Sequence, residues 1–169
     1  MRYVQGWLVG VTPSTSGLVP FEVTATSGDF AVTHSGPLSA DVEESFHLAI
    51  SAAALALHRH NHSIGEHRLH LNLPLRHVDV RGPSCRLAFA NGVIAALAPG
   101  VGFPPAQTAL FGDLTLSGQV LAVGHTSRKA DAARQAGLPR LVVAAQPGNG
   151  RAVDTVEISS LDEIPGVAR

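Results

Sequence analysis

Cysteine occurs once in this chain, at Cys85, so no disulfide can form within it, which fits a reducing compartment. Tryptophan, tyrosine and methionine also occur once each. Aromatic residues make up only 5% of the chain, which leaves no aromatic-interleaved basic surface for nucleic acid. Charge is scarce as well. The formal net charge of −1 provides no positive field to draw the protein to DNA or anionic lipid, so contact with DNA is expected only indirectly or weakly. No apolar run approaches the roughly 18 residues of a membrane span, and the N-terminus lacks the layout of a signal peptide. The expectation is a cytoplasmic protein with no membrane partner. G-x-x-x-x-G-K-[ST] is absent, so no nucleotide-binding motif is present. There is no internal repeat, low-complexity tract or dividing linker, and residues 1–169 read as a single domain.

What the chain has is apolar residues (45%) punctuated by 17 Gly and 11 Pro, the composition of a loop-rich globule. Arg2–Val11 reads as a first strand and Thr12–Gly17 as a turn. Leu18–Thr26 alternates, with Val19, Phe21 and Val23 on one face, while Pro20 suggests an edge strand or bulge. Phe30–His34 is a third short strand. A helix opens after Ser39, with Asp41, Glu43 and Glu44 in its first turns and an apolar stripe of Val42, Phe46, Ala49, Ile50 and Ala53. It runs to about Leu57, and a polar loop follows. Arg68–Val80 alternates again through Leu69, Leu71 and Leu73. Arg86–Leu97 is a helix apolar around most of its circumference.

The most decisive stretch runs from Thr108 to Ala145. Thr108–Leu116 reads as a strand, Ser117-Gly118 as a two-residue hairpin turn, and Gln119–Val123 as the returning strand. A helix over Arg128–Ala136 follows, capped by Thr126 or Ser127 and stopped by Gly137. Leu141–Ala145 is an unbroken apolar run, as in a strand buried on both faces. Ala152–Ile158 reads as a last strand and Ser160–Ile164 as a closing helical turn.

Several residues invite chemistry, and each also has an ordinary structural reading. His58, His60, His62, His67 and His70 are the densest group of metal-capable side chains, but no cysteine or placed acid completes a recognisable zinc set. They read as a solvated loop, and no metal or other cofactor is expected. Asp79, Asp113 and Asp131 form no evident acid pair. Cys85 reads as a small buried residue, and Arg128, Lys129, Arg134 and Arg140 as a solvated helix face. Gly82-Pro83-Ser84 places a serine at the mouth of a helix, where it is either a cap or a nucleophile.

Gly82-Pro83-Ser84, the hairpin words Gly112-Asp113-Leu114-Thr115-Leu116-Ser117-Gly118-Gln119-Val120 and the helix ending Ala132-Ala133-Arg134-Gln135-Ala136-Gly137 together resemble the proteolytic domain of Lon and its relatives. Gly36 followed by Val42, Glu44 and Ser45, the strand word Leu71-Asn72-Leu73, and Phe111 before Gly112-Asp113 resemble a narrower branch, the magnesium-chelatase-like ComM proteins, and Phe111 also RadA. The resemblance implies an α+β fold of the ribosomal protein S5 domain 2-like type, a mixed sheet with helices on one face.

The resemblance also implies roles. Ser84 stands at the nucleophile position of a serine–lysine dyad, and the helix amides behind it would receive an oxyanion. Ser127 falls where the family carries its base lysine, and Phe111 where Lon carries a threonine that holds it. Lys129, two residues on, lies about 200° around the helix and is expected to point away from Ser84. His125 is a substitute base whose imidazole needs less tuning near neutral pH. The leading expectation is therefore a non-catalytic Lon-like domain for assembly or interaction, with a protein partner or its own copies, in an ATP-driven DNA-processing complex of the ComM/RadA kind. The alternative is a Lon-type serine endopeptidase with Ser84 as nucleophile and Lys129 or His125 as base.

Overall fold

The computed structural model describes residues 1–36, 38–62, 64–74, 80–146 and 154–168. In chain order the elements are β1 (Arg2–Val11), β2 (Ser16–Ser27), β3 (Ala31–Ser35), α1 (Ala40–Arg59), β4 (His67–Asn72), α2 (Arg86–Leu97), β5 (Thr108–Phe111), β6 (Asp113–Leu114), β7 (Val120–Leu121), α3 (Thr126–Gln135), β8 (Arg140–Ala144) and β9 (Thr155–Ile158). Single 3-10 turns occupy Pro83–Cys85, Pro105–Gln107 and Leu161–Glu163. Seven strands form one mixed sheet in the order β3-β4-β2-β1-β5-β8-β9, and β6-β7 form a separate small hairpin. The β1-β2 and β2-β4 pairs are antiparallel, whereas β1-β5, β5-β8, β8-β9 and β3-β4 are parallel. The expected mixed sheet with helices is therefore present.

Alternation along the strands decides which side of the sheet each helix covers. Leu8, Val19, Phe21 and Val23 point to the face covered by α1 and α2, where they join Phe46, Ala49, Ile50, Ala53, Leu57 and Phe89 in the main core. Phe89 is fully buried and meets Phe21 and Phe46 edge-on, with ring centroids 5.3 and 5.5 Å away. Their neighbours Val9 and Leu18 point to the opposite face with Ala109, Phe111, Leu141 and Val143, and there Ala132 and Ala133 of α3 cover them. Helices thus lie on both faces, not on one as expected. The reason is in the strands themselves. Every residue of β5 and all of β8 after Arg140 are buried, and such strands need cover on each side.

Two further expectations are corrected. Pro20 does not mark an edge strand: β2 lies between β4 and β1. Proline is tolerated because β4 ends at Asn72 opposite Glu22, so no partner on that side reaches Pro20. The strand expected over Thr108–Leu116 is broken at Gly112, and the hairpin closes through Thr115–Gln119, with Thr115 N–H donating to Gln119 O at 3.0 Å, instead of through a two-residue turn. Asp79, together with the parts of two expected strands at 75–79 and 152–153, lies outside the described residues. No helix among those described is long and apolar enough to cross a membrane.

Candidate active site

The break at Gly112 builds the site. The Gly112 N–H donates to Ser84 O and the Leu87 N–H donates to Gly112 O, both at 3.2 Å, so the chain leaving β5 is laced to the turn that opens α2. A side chain there would be crowded. A Cβ on Gly112 would stand 3.1 Å from Val120 Cγ1 and 3.2 Å from Leu87 Cδ2. The turn itself starts at Gly82, whose φ of 81° is a left-handed conformation that side chains resist. Pro83 then enters the 3-10 turn, and Ser84 follows half-buried at its centre.

Ser84 opens onto a groove of about 740 Å³. One wall is the end of β1 and the start of β2 with the turn between them. The others come from Val80–Cys85, from Asp113, and from the segment Ala122–His125 leading into α3. Lys129 closes the groove. It is the one lysine in the sequence, and it is only 6% exposed. Burial disfavours its ammonium and holds the amine below the ordinary lysine pKa, opposed weakly by the charge the Cys85 thiolate would carry. The Nζ lies 5.8 Å from the centroid of the Phe111 ring. Phe111, standing where a threonine was expected to hold the base, therefore forms the floor beneath the amine instead.

This placement corrects the helical-wheel expectation. Lys129 faces inward and Ser127 is exposed. His125 takes a left-handed conformation (φ 60°, ψ 29°) directly before α3, and the helix then presents Lys129, Ala132 and Ala133 to the sheet. Ser127 shares the outer face with Asp131 and Arg134. Neither Thr126 nor Ser127 caps α3. The Thr126 hydroxyl instead donates back to Val123 O at 3.0 Å. His125 also lines the groove, with its residue exposed.

The structure brings Ser84, Lys129 and His125 to one groove, yet the Ser84 hydroxyl has no hydrogen-bond partner among the described residues. Cys85, next to Ser84, also lines the groove. Its buried thiol donates to Gly82 O at 3.4 Å, and burial pushes its pKa up to about 11, which makes it a poor nucleophile. The amides of Arg86 and Leu87 are bonded to Pro83 O and Gly112 O, so an oxyanion would have to be received by others.

The remaining candidates scatter. His62 is buried with Nε2 2.9 Å from Val167 O, His60 pairs with Asp162 at 3.1 Å, and His70 sits between Thr33 and Ser35. Among the described residues no three metal-capable side chains converge. The basic residues expected on a solvated face are tied individually. Arg128 donates to Thr12 O (2.9 Å) and Thr15 O (3.3 Å), Arg134 binds Asp154, and Arg140 lies over the Phe103 ring. Arg128 therefore fastens the start of α3 to the β1-β2 turn across the groove. Reasoning from sequence missed this link, because a long-range bond to a turn carbonyl has no local signature. It also missed Arg86, whose guanidinium reaches Asp113 at 2.9 Å.

Known proteins resemble the chain over most of its length. Residues 4–164 match the family model of the Lon protease (S16) C-terminal proteolytic domain. Lon protease 1 of Thermus thermophilus is 31% identical over 138 residues, covering 78% of this chain and 17% of the relative. A peroxisomal Lon protease homolog 2 of Bos taurus is 31% identical over 174 residues, covering 93% of this chain and 20% of the relative. Lon protease of Koribacter versatilis is 25% identical over 178 residues, covering 96% and 22% respectively. The chain thus spans about a fifth of the length of the curated relatives it matches. These relatives are Lon proteases, and the narrower ComM-like resemblance gains no support from them. With that match running over residues 4–164, the chain belongs to the Lon protease C-terminal proteolytic domain family.

Proposed function

We propose that this domain is a Lon-type serine peptidase module in which Ser84 is the nucleophile and Lys129 its base. One observation carries the reading: the only lysine in the sequence is buried in the groove onto which the serine of the Gly-Pro-Ser turn opens. A serine hydroxyl attacks a peptide carbonyl usefully only when a base takes its proton, and an amine can act as that base only if its neutral form is accessible. Desolvation of Lys129 provides this. In the proposed step Ser84 Oγ bonds to the scissile carbonyl carbon while its proton passes to Lys129 Nζ. The ammonium then protonates the departing amine, and water, deprotonated by the same Nζ, cleaves the acyl-serine ester.

The inert-scaffold expectation rested on Ser127 filling the base position, on Phe111 in place of the supporting threonine, and on Lys129 facing away. With Lys129 in the groove and Lon proteases as relatives, the peptidase reading has the better support. The missing hydrogen bond at Ser84 does not oppose it, because catalytic contacts are often long before substrate closes the site. The order of strands and helices favours an S5-domain-2-like assignment of the fold.

The test is acylation of Ser84 by a fluorophosphonate probe, read as an adduct by mass spectrometry, beside cleavage of an unfolded protein substrate. Adduct formation that Ser84→Ala and Lys129→Met each abolish is the expected result. A wild-type protein that acquires no adduct at any pH overturns the reading. An adduct that survives Lys129→Met but not replacement of His125 would transfer the base role to the imidazole.

A further inference from the structure

The turn between β1 and β2 forms one wall of the groove, and no buried side chain anchors it. Thr12, Pro13, Thr15, Ser16 and Gly17 line the groove, yet every residue from Thr12 to Gly17 is exposed. The turn is a compact unit in itself. The Thr12 N–H donates to Thr15 O at 2.7 Å, the Thr15 N–H donates to Thr12 Oγ1 at 2.9 Å, and the two hydroxyls lie 2.8 Å apart. At its base Gly10 stands opposite Gly17, so no pair of side chains stiffens the hairpin there. Close packing does not demand these glycines. An added Cβ would meet nothing within 4 Å at Gly17 and nothing nearer than 3.8 Å at Gly10. Arg128 ties this turn to α3. Its Nη2 donates to both turn carbonyls, Thr12 O at 2.9 Å and Thr15 O at 3.3 Å, and it forms no ion pair among the described residues. Arg128 itself stands outside the groove lining, one residue before the Lys129 that closes it.

We infer that the β1-β2 turn is a flap of the groove and Arg128 its latch, a positioning residue that controls access to Ser84 through the turn. Latched, the turn is held to the start of α3 and the groove admits only slender groups. Unlatched, it swings about the Gly10–Gly17 pair and admits bulkier ones. The inference rests on the peptidase reading for its purpose, since what the flap screens is the substrate that reaches Ser84, though not for its test. Bonds from a charged donor are strong enough to hold an exposed turn, yet both carbonyls can take water in exchange when the latch opens. A segment held in this way opens locally, without unfolding the sheet that carries it.

Size-selective labelling at position 84 tests this without turnover. Cys85 is the only cysteine in the sequence, so Ser84→Cys combined with Cys85→Ala leaves a single thiol, placed at the groove. In that reporter a small methanethiosulfonate should react much faster than a bulky maleimide, once each rate is divided by that with a free thiol. Adding Arg128→Met should raise the bulky rate by about tenfold, the effect of losing a charged hydrogen bond, and leave the small one nearly unchanged. Hydrogen exchange should quicken over residues 10–17 while the amides of α3 keep their protection, a pattern that a merely structural role of Arg128 in its own helix does not predict. Arg128→Gln should act in the same direction if the methionine variant folds poorly, and Arg128→Lys, which retains a charged donor, should keep most of the discrimination. A reporter that admits both reagents alike overturns the inference. So does a folded Arg128→Met or Arg128→Gln variant whose turn exchanges as before, or whose two labelling rates rise together. A protein that never acylates Ser84 would end the peptidase reading while leaving this test intact.

Discussion

The two halves of the sheet are built on different principles. Across β5 and β8 both faces are covered, by α2 on one side and α3 on the other, and the strands are apolar after their first residues, Thr108 and Arg140. α3 reaches β2 at Leu18, and across β3, β4 and the rest of β2 only the α1-α2 face is covered among the described residues. The other carries a polar ladder that crosses four strands: Thr33 and Ser35 to His70, Ser35 to Asn72, Asn72 to Glu22 at 2.6 Å, and Glu22 to Tyr3 at 2.9 Å. The candidate site lies where the doubly covered half ends. Ser84 comes from the α2 side and Lys129 from the α3 side, and they reach one groove because β5 stops at Phe111 and the chain turns away at Gly112. A groove between two layers gains what neither layer offers alone: a turn serine from one and a desolvated amine from the other.

That contrast can be tested from its largest consequence to its smallest. Removing either member of the pair bridging the layers should abolish reactivity without unfolding the protein. Ser84→Ala and Lys129→Met are each expected to lower the rate of fluorophosphonate labelling by about a thousandfold or more, roughly 4 kcal/mol. Lys129→Met should at the same time raise the melting temperature at neutral pH. A lysine whose folded pKa is depressed costs stability while it is charged, so the cost is fully present below the folded pKa and fades as pH rises through that value toward the ordinary lysine range. The gain should therefore shrink in melts run at increasingly alkaline pH.

Within the covered face, Phe89→Ala should cost about 3–5 kcal/mol in denaturant unfolding, since it empties the space between Phe21 and Phe46. At the junction, Gly112→Ala should cost about 1–3 kcal/mol through contact with Val120 and Leu87. It should also reduce labelling of Ser84 by more than its stability effect implies, because Gly112 holds the serine turn through its backbone. On the open face, Asn72→Ala should cost under about 1 kcal/mol, as its bonds to Ser35 and Glu22 can be exchanged for water. An open-face change as costly as the core substitution would show that the polar ladder is a true structural layer and the contrast false.

Much of this was legible in the chain, for identifiable reasons. The ends of β1 and α2 matched their predicted bounds because a turn cluster closes the one and the Gly-Pro-Ser turn opens the other. The unbroken apolar run of β8 predicted a strand covered on both faces, even though helices had been assigned to only one. The position of Ser84 followed from Gly82 and Pro83, whose backbone preferences act within three residues. The site's other half did not follow. Counting 100° per residue from Ser127 placed Lys129 outside, because the count fixes angles within a helix but not how the helix is rotated on the sheet.

Sequence by itself determined the local elements, the serine turn and the family to which the chain belongs, since these depend on propensity, period and short-range backbone geometry. Tertiary structure alone decided that α3 lies opposite α1 and α2, that β5 breaks at Gly112, and that the only lysine turns inward. Each of these depends on which surfaces must be covered and which backbone groups bond across the fold, and residues far apart in the chain settle such questions together.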